Sequence, residues 1–161
     1  MTSLAVLLLA IPAVVFSEEH QAMVKTAVGE AMPQIELFDA TGRRQPLPEL
    51  RGEKATVVAV IGGPVWMTET MLNDLRTEIA TGYSAKGVRV VAVSLASASP
   101  LGQGVVSVRA NRPDAAKLLG EGRMPRVYVL DASGAIAWLD IEYSVSTRRE
   151  LIETLDELTG E

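Results

Sequence analysis

Thr56-Val57-Val58-Ala59-Val60-Ile61 is an unbroken β-branched and small apolar run. It leads directly into Gly62-Gly63-Pro64, and then into apolar residues at helical spacing: Met71, Leu72, Leu75 and Ile79. A strand apolar on both faces must be covered on both faces, which places it inside a parallel or mixed sheet with helices above and below. The spacing that follows predicts a helix over about 68–80 with one face on that sheet, ended by Gly82 or Gly87. A second apolar run, 88–94, then predicts a parallel partner strand reached by a right-handed crossover. A strand that feeds a Gly/Pro turn and a helix N-terminus is where such folds place chemistry, because free N–H groups and a positive dipole end point out of the sheet there. Yet the stretch 62–71 holds no Cys, Ser, His, Asp or Lys, and its only ionisable side chain is Glu69.

The remainder of the chain fits around this unit. Gly29-Glu30-Ala31-Met32-Pro33 is an extended lead-in, since Pro33 disfavours helix at Met32, and 35–38 alternates like a half-buried strand. Residues 40–43 and 51–54 are turns, and 45–50 is extended, ending in one helical turn. Residues 96–104 are small and loose, with Ser97, Ser99, Pro100, Gly102 and Gly104. A short strand is expected over 105–108, and a short helix opens at Asn111-Arg112-Pro113-Asp114 and stops at Gly120. Two strands, 127–130 and 135–141, flank Asp131-Ala132-Ser133-Gly134 and form an antiparallel hairpin. Thr147-Arg148-Arg149-Glu150 reads as a capping box for a last helix with Leu151, Ile152, Leu155 and Leu158 on one face.

Composition removes several kinds of chemistry. The 161 residues contain no cysteine and one histidine, His20. Disulfides, thiol catalysis, thiolate metal sites and imidazole-built metal sites are therefore excluded. A net charge of −5 with no Lys/Arg stripe argues against nucleic acid as a partner. Residues 4–16 are apolar, with Pro12 among them, and fall short of the ~20 residues of a membrane span. They fit the core of a secretory signal, with Val15 and Ser17 before the cleavage point and Glu18-Glu19-His20 after it. The expected organisation is a signal peptide over 1–17, a linker over 18–28 and one domain over 29–161, exported to the periplasm or cell envelope. No Lys or Arg precedes the apolar run, so an uncleaved anchor is the other reading, and any membrane contact is expected only through it.

In this order the residues resemble the thioredoxin fold. Within it they resemble the redoxin branch: thiol–disulfide oxidoreductases of the TlpA/ResA type and the alkyl hydroperoxide reductase/thiol-specific antioxidant (peroxiredoxin) proteins. The resemblance covers about 29–158. Gly29, Pro33, Ile35, Leu37, Asp39 and Gly42 match the family's lead-in, and Leu47-x-x-Leu50-Arg51-Gly52 matches its turn. Trp66 stands at the tryptophan of W-C-x-x-C, and Met124-Pro125 stands where the family carries a cis-proline. The resemblance implies an α/β, thioredoxin-like fold. Its central mixed sheet, a parallel half plus an antiparallel hairpin, is flanked by helices and preceded by an extended lead-in.

The two family cysteines fall on Met67 and Thr70. A thioether has no ionisable proton, and a Thr hydroxyl needs an adjacent base, so neither replaces a low-pKa thiolate and its resolving thiol. The resemblance thus implies the scaffold without its reaction: no catalytic residue, no cofactor, and a groove of Trp66, Glu69, Met124 and Pro125 for a peptide or protein partner. A first alternative is a role in thiol–disulfide or peroxide chemistry with a partner that supplies the cysteine. A second is a copper carrier using Met67, Met71 and Met124 as thioether ligands. Against that stands the reading of these methionines as fillers of irregular space. Glu69 also has two readings, a general acid or base, or a first-turn carboxylate stabilised by the helix dipole. Thr147-Arg148-Arg149 beside Tyr143 and Ser144 reads either as an anion site or as a solvated cap.

Overall fold

The computed structural model describes residues 24–63, 65–97 and 100–160. The expected signal peptide, the linker as far as residue 23, His20, Pro64 and Ser99 lie outside them.

Six strands form one sheet among the described residues: β1 (Leu37–Phe38), β2 (Ala55–Ile61), β3 (Val88–Ser94), β4 (Val105–Ala110), β5 (Arg126–Asp131) and β6 (Ile136–Ile141). Their order is β1-β4-β3-β2-β5-β6. β2–β3 and β3–β4 are parallel, whereas β1–β4, β2–β5 and β5–β6 are antiparallel. The mixed sheet and the hairpin are as the sequence implies. Every residue of β2 is buried, as its uninterrupted apolar run requires.

The two faces are covered by α1 (Trp66–Asp74), α2 (Arg112–Leu119) and α3 (Val145–Thr159). The sheet's period of two divides the core. Val57, Ala59 and Ile61 pack with Met71, Leu75, Ile79, Leu151 and Leu155 on the side of α1 and α3. Val58 and Val60 pack with Ala115 and Leu119 of α2 and with Ile35, Leu37, Leu47 and Leu50 of the lead-in. No helix among the described residues is long and apolar enough to cross a membrane.

Three local expectations are corrected. The strand expected over 35–38 shortens to Leu37–Phe38, because its partner β4 ends at Ala110 opposite Leu37 and the chain turns into α2 beyond it. The helix expected to end near 80 runs on through a π turn (Leu75–Ile79), a further α turn (Ala80–Tyr83) and a 3-10 turn (Ser84–Lys86). It stops at Gly87, the second of the two expected stops, whose φ of 84° is left-handed. The last helix begins one turn before the expected Thr147 cap. Ser144 Oγ accepts from the Thr147 backbone N–H at 3.2 Å, and Thr147 Oγ1 accepts from the Ser144 N–H at 3.1 Å. The same reciprocal cap forms earlier, and Thr147 Oγ1 is then free to donate to Asp140 at 2.7 Å.

Two aspartates close the tight turns. Asp39 Oδ1 accepts from the Thr41 hydroxyl at 2.6 Å, from the Thr41 N–H at 2.8 Å and from the Arg43 N–H at 3.0 Å. The Thr41 hydroxyl, opposed by desolvation and helped by the backbone donors and Gln45, brings its carboxyl down to about 2. Asp131 makes the equivalent turn with Ser133 and Ala135, and its carboxyl is likewise lowered, chiefly by the Ser133 hydroxyl.

Candidate functional site

The first wall of the site follows from how β2 hands over to α1. Val65 is the N-cap residue, with an extended backbone and no side chain bonded to the helix start. The packing positions of α1 are Thr68 and Met71, with Leu72 partly packed and Leu75 next, whereas Glu69 and Thr70 face outward. Trp66 is 71% exposed, and Glu69 and Thr70 are exposed. The Thr70 hydroxyl donates to Trp66 O at 3.0 Å, four residues back. Met67 is half-buried against the core on the α1 side. Thr68 is only 4% exposed, and its hydroxyl has no hydrogen-bond partner.

The second wall is the loop between α2 and β5. Gly120 and Gly122 adopt φ of 97° and 121°, which lets the chain double back. The Met124-Pro125 bond is cis, as the resemblance implied. β5 pairs with β2 through Arg126 opposite Val60, which brings Met124 against the end of β2. A Cβ on Gly62 would stand 2.7 Å from Met124 Cγ and 3.1 Å from its Cβ, so any larger residue there forces Met124 to shift. Arg112, on the first turn of α2, closes the corner by donating from Nη2 to Gly62 O at 2.6 Å.

The loop is gripped from two further sides. Glu142, in the left-handed region at φ 71°, donates its N–H to Pro125 O at 2.7 Å, and its carboxylate pairs with Arg123 at 3.2 Å. Arg126 is wholly buried. Its guanidinium donates to Leu119 O at 2.6 Å, Glu121 O at 3.1 Å and Arg123 O at 3.2 Å. It thus terminates α2, where a cation suits the helix dipole, and it braces the loop.

The structure joins Gly62 to Met124, and Thr70 to Trp66. It does not gather the three methionines. Met71 is enclosed in the core on the α1 side, whereas Met124 packs with the cluster on the opposite face. The hydroxyl and basic cluster at 143–149 is engaged elsewhere. Arg148 binds Glu78 through Nη2 at 2.6 Å and Nε at 2.8 Å, and Tyr143 donates to Asp74 at 3.0 Å. The anion-site reading there gives way to an internal ion-pair network between α3 and the helix after β2. Burial, and then the Asp74 charge, push the Tyr143 hydroxyl well above the ordinary tyrosine range.

No group of three or more His, Cys, Asp or Glu able to hold a metal ion occurs among the described residues. A cavity of about 90 Å³ lies instead under the loop between β3 and β4, lined by Ile61, Ser94, Ser97 and Ser107 among others. Sequence reasoning missed Arg112, Arg126 and Glu142. Arg126 left one trace, a cation at the head of an otherwise apolar strand.

Neither a family model nor a curated protein sequence matches the chain. Solved structures do. A chain from Chlorobium tepidum, provisionally described as the thiol:disulfide interchange protein DsbE, superposes with a TM-score of 0.67 at 17% identity, over 84% of this chain and 100% of its own. One from Bacteroides thetaiotaomicron, provisionally described as a protein disulfide isomerase, gives 0.69 at 16% identity, over 87% and 94%. A thiol:disulfide interchange protein from Bacteroides sp. gives 0.63 at 16% identity, over 84% and 92%. The chain therefore has a thioredoxin-like fold, the fold of these thiol:disulfide interchange proteins, and it carries no cysteine with which to perform their exchange.

Proposed function

We propose that this protein is a redoxin-type member of the thioredoxin-like group that works by holding an extended peptide or protein segment, without disulfide-reductase or peroxidase activity of its own. One observation carries the reading. Where the resemblance puts two sulfurs there is Met67, packed against the core, and Thr70, whose hydroxyl is bound to Trp66 O, while Trp66 itself stays 71% exposed. A thioether cannot become a thiolate, and a Thr hydroxyl with no base beside it is not a nucleophile. An exposed indole at the start of the helix that follows Gly62, the residue Met124 packs against, is still an amphipathic binding surface. The apolar run over 4–16 supports work outside the cytoplasm.

Purified protein is expected to read background in insulin-reduction and peroxide-consumption assays and to bind extended peptides with a change at the Trp66 indole. Clear turnover by the cysteine-free chain sinks the reading. Met67→Cys with Thr70→Cys is expected to restore measurable disulfide reduction on the intact scaffold. A fusion of the first 28 residues to a reporter active only outside the cytoplasm tests export. A second reading is favoured by the thiol:disulfide interchange proteins among the structural neighbours: a place in thiol chemistry beside a partner that supplies the cysteine. It requires rate enhancement when the chain is mixed with thiol proteins of the same compartment, and fails if none is enhanced.

A further inference from the structure

We propose that Asp140 guards the open edge of the sheet, and that without it β6 pairs with the β6 of a second copy of this chain. β6 is the last strand in the sheet order, so among the described residues no strand of the sheet lies beyond its outer edge. The opposite edge is β1, only two residues long. A six-residue edge is a template for another chain, because its outward N–H and C=O groups lack ladder partners. Natural edges are blunted by charge or by proline. β6 contains no Lys and no Pro, its Trp138, Leu139 and Ile141 are half-buried, and Asp140 is its only charged residue.

Both ends of this edge are closed within the chain, by different means. At the start the lead-in closes it: Ile136 donates to Glu30 O at 2.8 Å, and Gly29 donates to Ile136 O at 2.8 Å. At the far end, the Glu142 N–H goes inward to Pro125 O. Antiparallel bonding alternates along a strand, so Ile141 and Leu139 turn their backbone groups away from β5. Asp140 Oδ1 takes the Ile141 N–H at 2.8 Å, and Oδ2 accepts from the Thr147 hydroxyl at 2.7 Å, which holds the carboxylate against the edge. Leu139, between the two closures, is left open. Two β6 strands paired antiparallel about a twofold axis at Leu139 are self-complementary, since each copy offers the donor and the acceptor that the other lacks. Such a ladder needs the Ile141 donor that Asp140 occupies. It also sets two Asp140 carboxylates diagonally across one face, where like charges repel. Replacing Asp140 removes both obstacles.

The test is sedimentation equilibrium of the full chain across a concentration series reaching the millimolar range, with backbone amide exchange followed by NMR at both ends of the series. The unmodified chain is compared with Asp140→Val and with Asp140→Thr, which keeps a hydroxyl beside Thr147. Thermal melts establish that each variant is folded. In the unmodified chain the Leu139 amide is expected to exchange freely at every concentration. Both variants are expected to dimerise at least about tenfold more tightly than the unmodified chain, since two donors are released and one like-charge pair is lost. The Leu139 amide is expected to become protected as the dimer fills. Adding Leu139→Pro, a residue tolerated where an edge N–H faces outward, is expected to return either variant to the association of the unmodified chain. Variants that associate no more tightly than the unmodified chain overturn the guarding role. So does a dimer that leaves the Leu139 amide unprotected, or one that survives Leu139→Pro, because its interface then lies elsewhere.

Discussion

Replacing Arg126 with Met keeps an unbranched stem of similar girth and removes the guanidinium, so it isolates what the buried charge does. Two effects oppose one another. Relief of a buried cation is favourable, since several kcal/mol of desolvation attend each ion taken out of water. Against it, three carbonyls lose a charged donor, and such bonds are worth about 1.5–3 kcal/mol each. The three are not equivalent. The bond to Leu119 O is buried, although that oxygen keeps the Lys25 N–H at 3.3 Å. The bonds to Glu121 O and Arg123 O are only part-buried, and both residues are exposed, so water can replace the donor there. The helix C-terminus at Leu119 also loses its balancing cation. A net loss of about 2–4 kcal/mol follows, with Arg126→Lys milder because an ammonium reaches one or two of the three carbonyls. With a urea m-value on the order of 2 kcal/mol/M, the midpoint falls by about 1–2 M. The assay is urea unfolding followed by far-UV circular dichroism at constant m. Peptide affinity is compared with that of Leu155→Ala, a core truncation of similar cost placed away from the loop. A stability change under about 0.5 kcal/mol, or a gain, refutes the bracing role; equal affinities in the two variants refute its link to the groove.

Gly62→Ala drives a Cβ to 2.7 Å from Met124 Cγ, a flexible side chain that can move. It is expected to cost about 1–2 kcal/mol, and Met124→Ala in the same chain should recover most of that cost; additive losses deny the contact. Thr68→Val removes a buried hydroxyl with no partner and should stabilise by about 1 kcal/mol in chemical unfolding, a loss showing that the hydroxyl is bonded after all. Asp39 is held ionised in the fold, at about 2 against 3.8 when unfolded, so its contribution is present above pH 4 and is lost as pH falls through 4 toward 2. Asp39→Asn should flatten that part of the acid-unfolding profile, and an unchanged acid limb counts against the turn's role.

What the sequence discloses is what local pattern alone decides. The β2 run can be satisfied only between two covered faces, and the structure covers both. Gly52 is legible as a turn glycine, and its deeper reason is tertiary: a Cβ there would stand 2.3 Å from Ala55 O, 2.6 Å from Gly87 O and 2.8 Å from Arg89 N, all rigid backbone. The stop at Gly87 is one of the two the sequence offers, but the choice between Gly82 and Gly87 is not legible, because nothing marks the π turn that keeps Leu75 and Ile79 on the sheet. Glu142 is hidden for the opposite reason: glutamate carries no signal for a left-handed backbone, and its conformation is imposed by the bonds to Pro125 and Arg123. Arg126 becomes meaningful only when α2 ends beside β5 and three carbonyls converge on it.

The bonds that shape the two walls share a property that bears on the missing sulfurs. Arg112 to Gly62 O, Glu142 N–H to Pro125 O, Arg123 to Glu142, and Arg126 to Leu119 O all leave Met67 and Thr70 out. The proposed groove would therefore be held independently of Met67 and Thr70, where the resemblance puts the two cysteines, and the bonds around it do not involve a thiol pair. Restoring cysteines probes chemistry with little effect on shape. Thr70→Cys gives up one exposed hydroxyl bond to Trp66 O. Met67→Cys withdraws two heavy atoms from a half-buried packing position, a loss of about 1 kcal/mol. Neither cost unfolds a domain of this size, so a double variant that folds, binds peptide and yet reduces nothing would place the defect in the thiolate's surroundings. Glu69 in the first turn is then the group to replace, because its negative charge opposes a thiolate at the same helix start. Adding Glu69→Gln to the double variant should lower the pKa of the thiol introduced by Met67→Cys, read by thiolate absorbance against pH. An unchanged titration would show that Glu69 does not set the charge balance of this helix start.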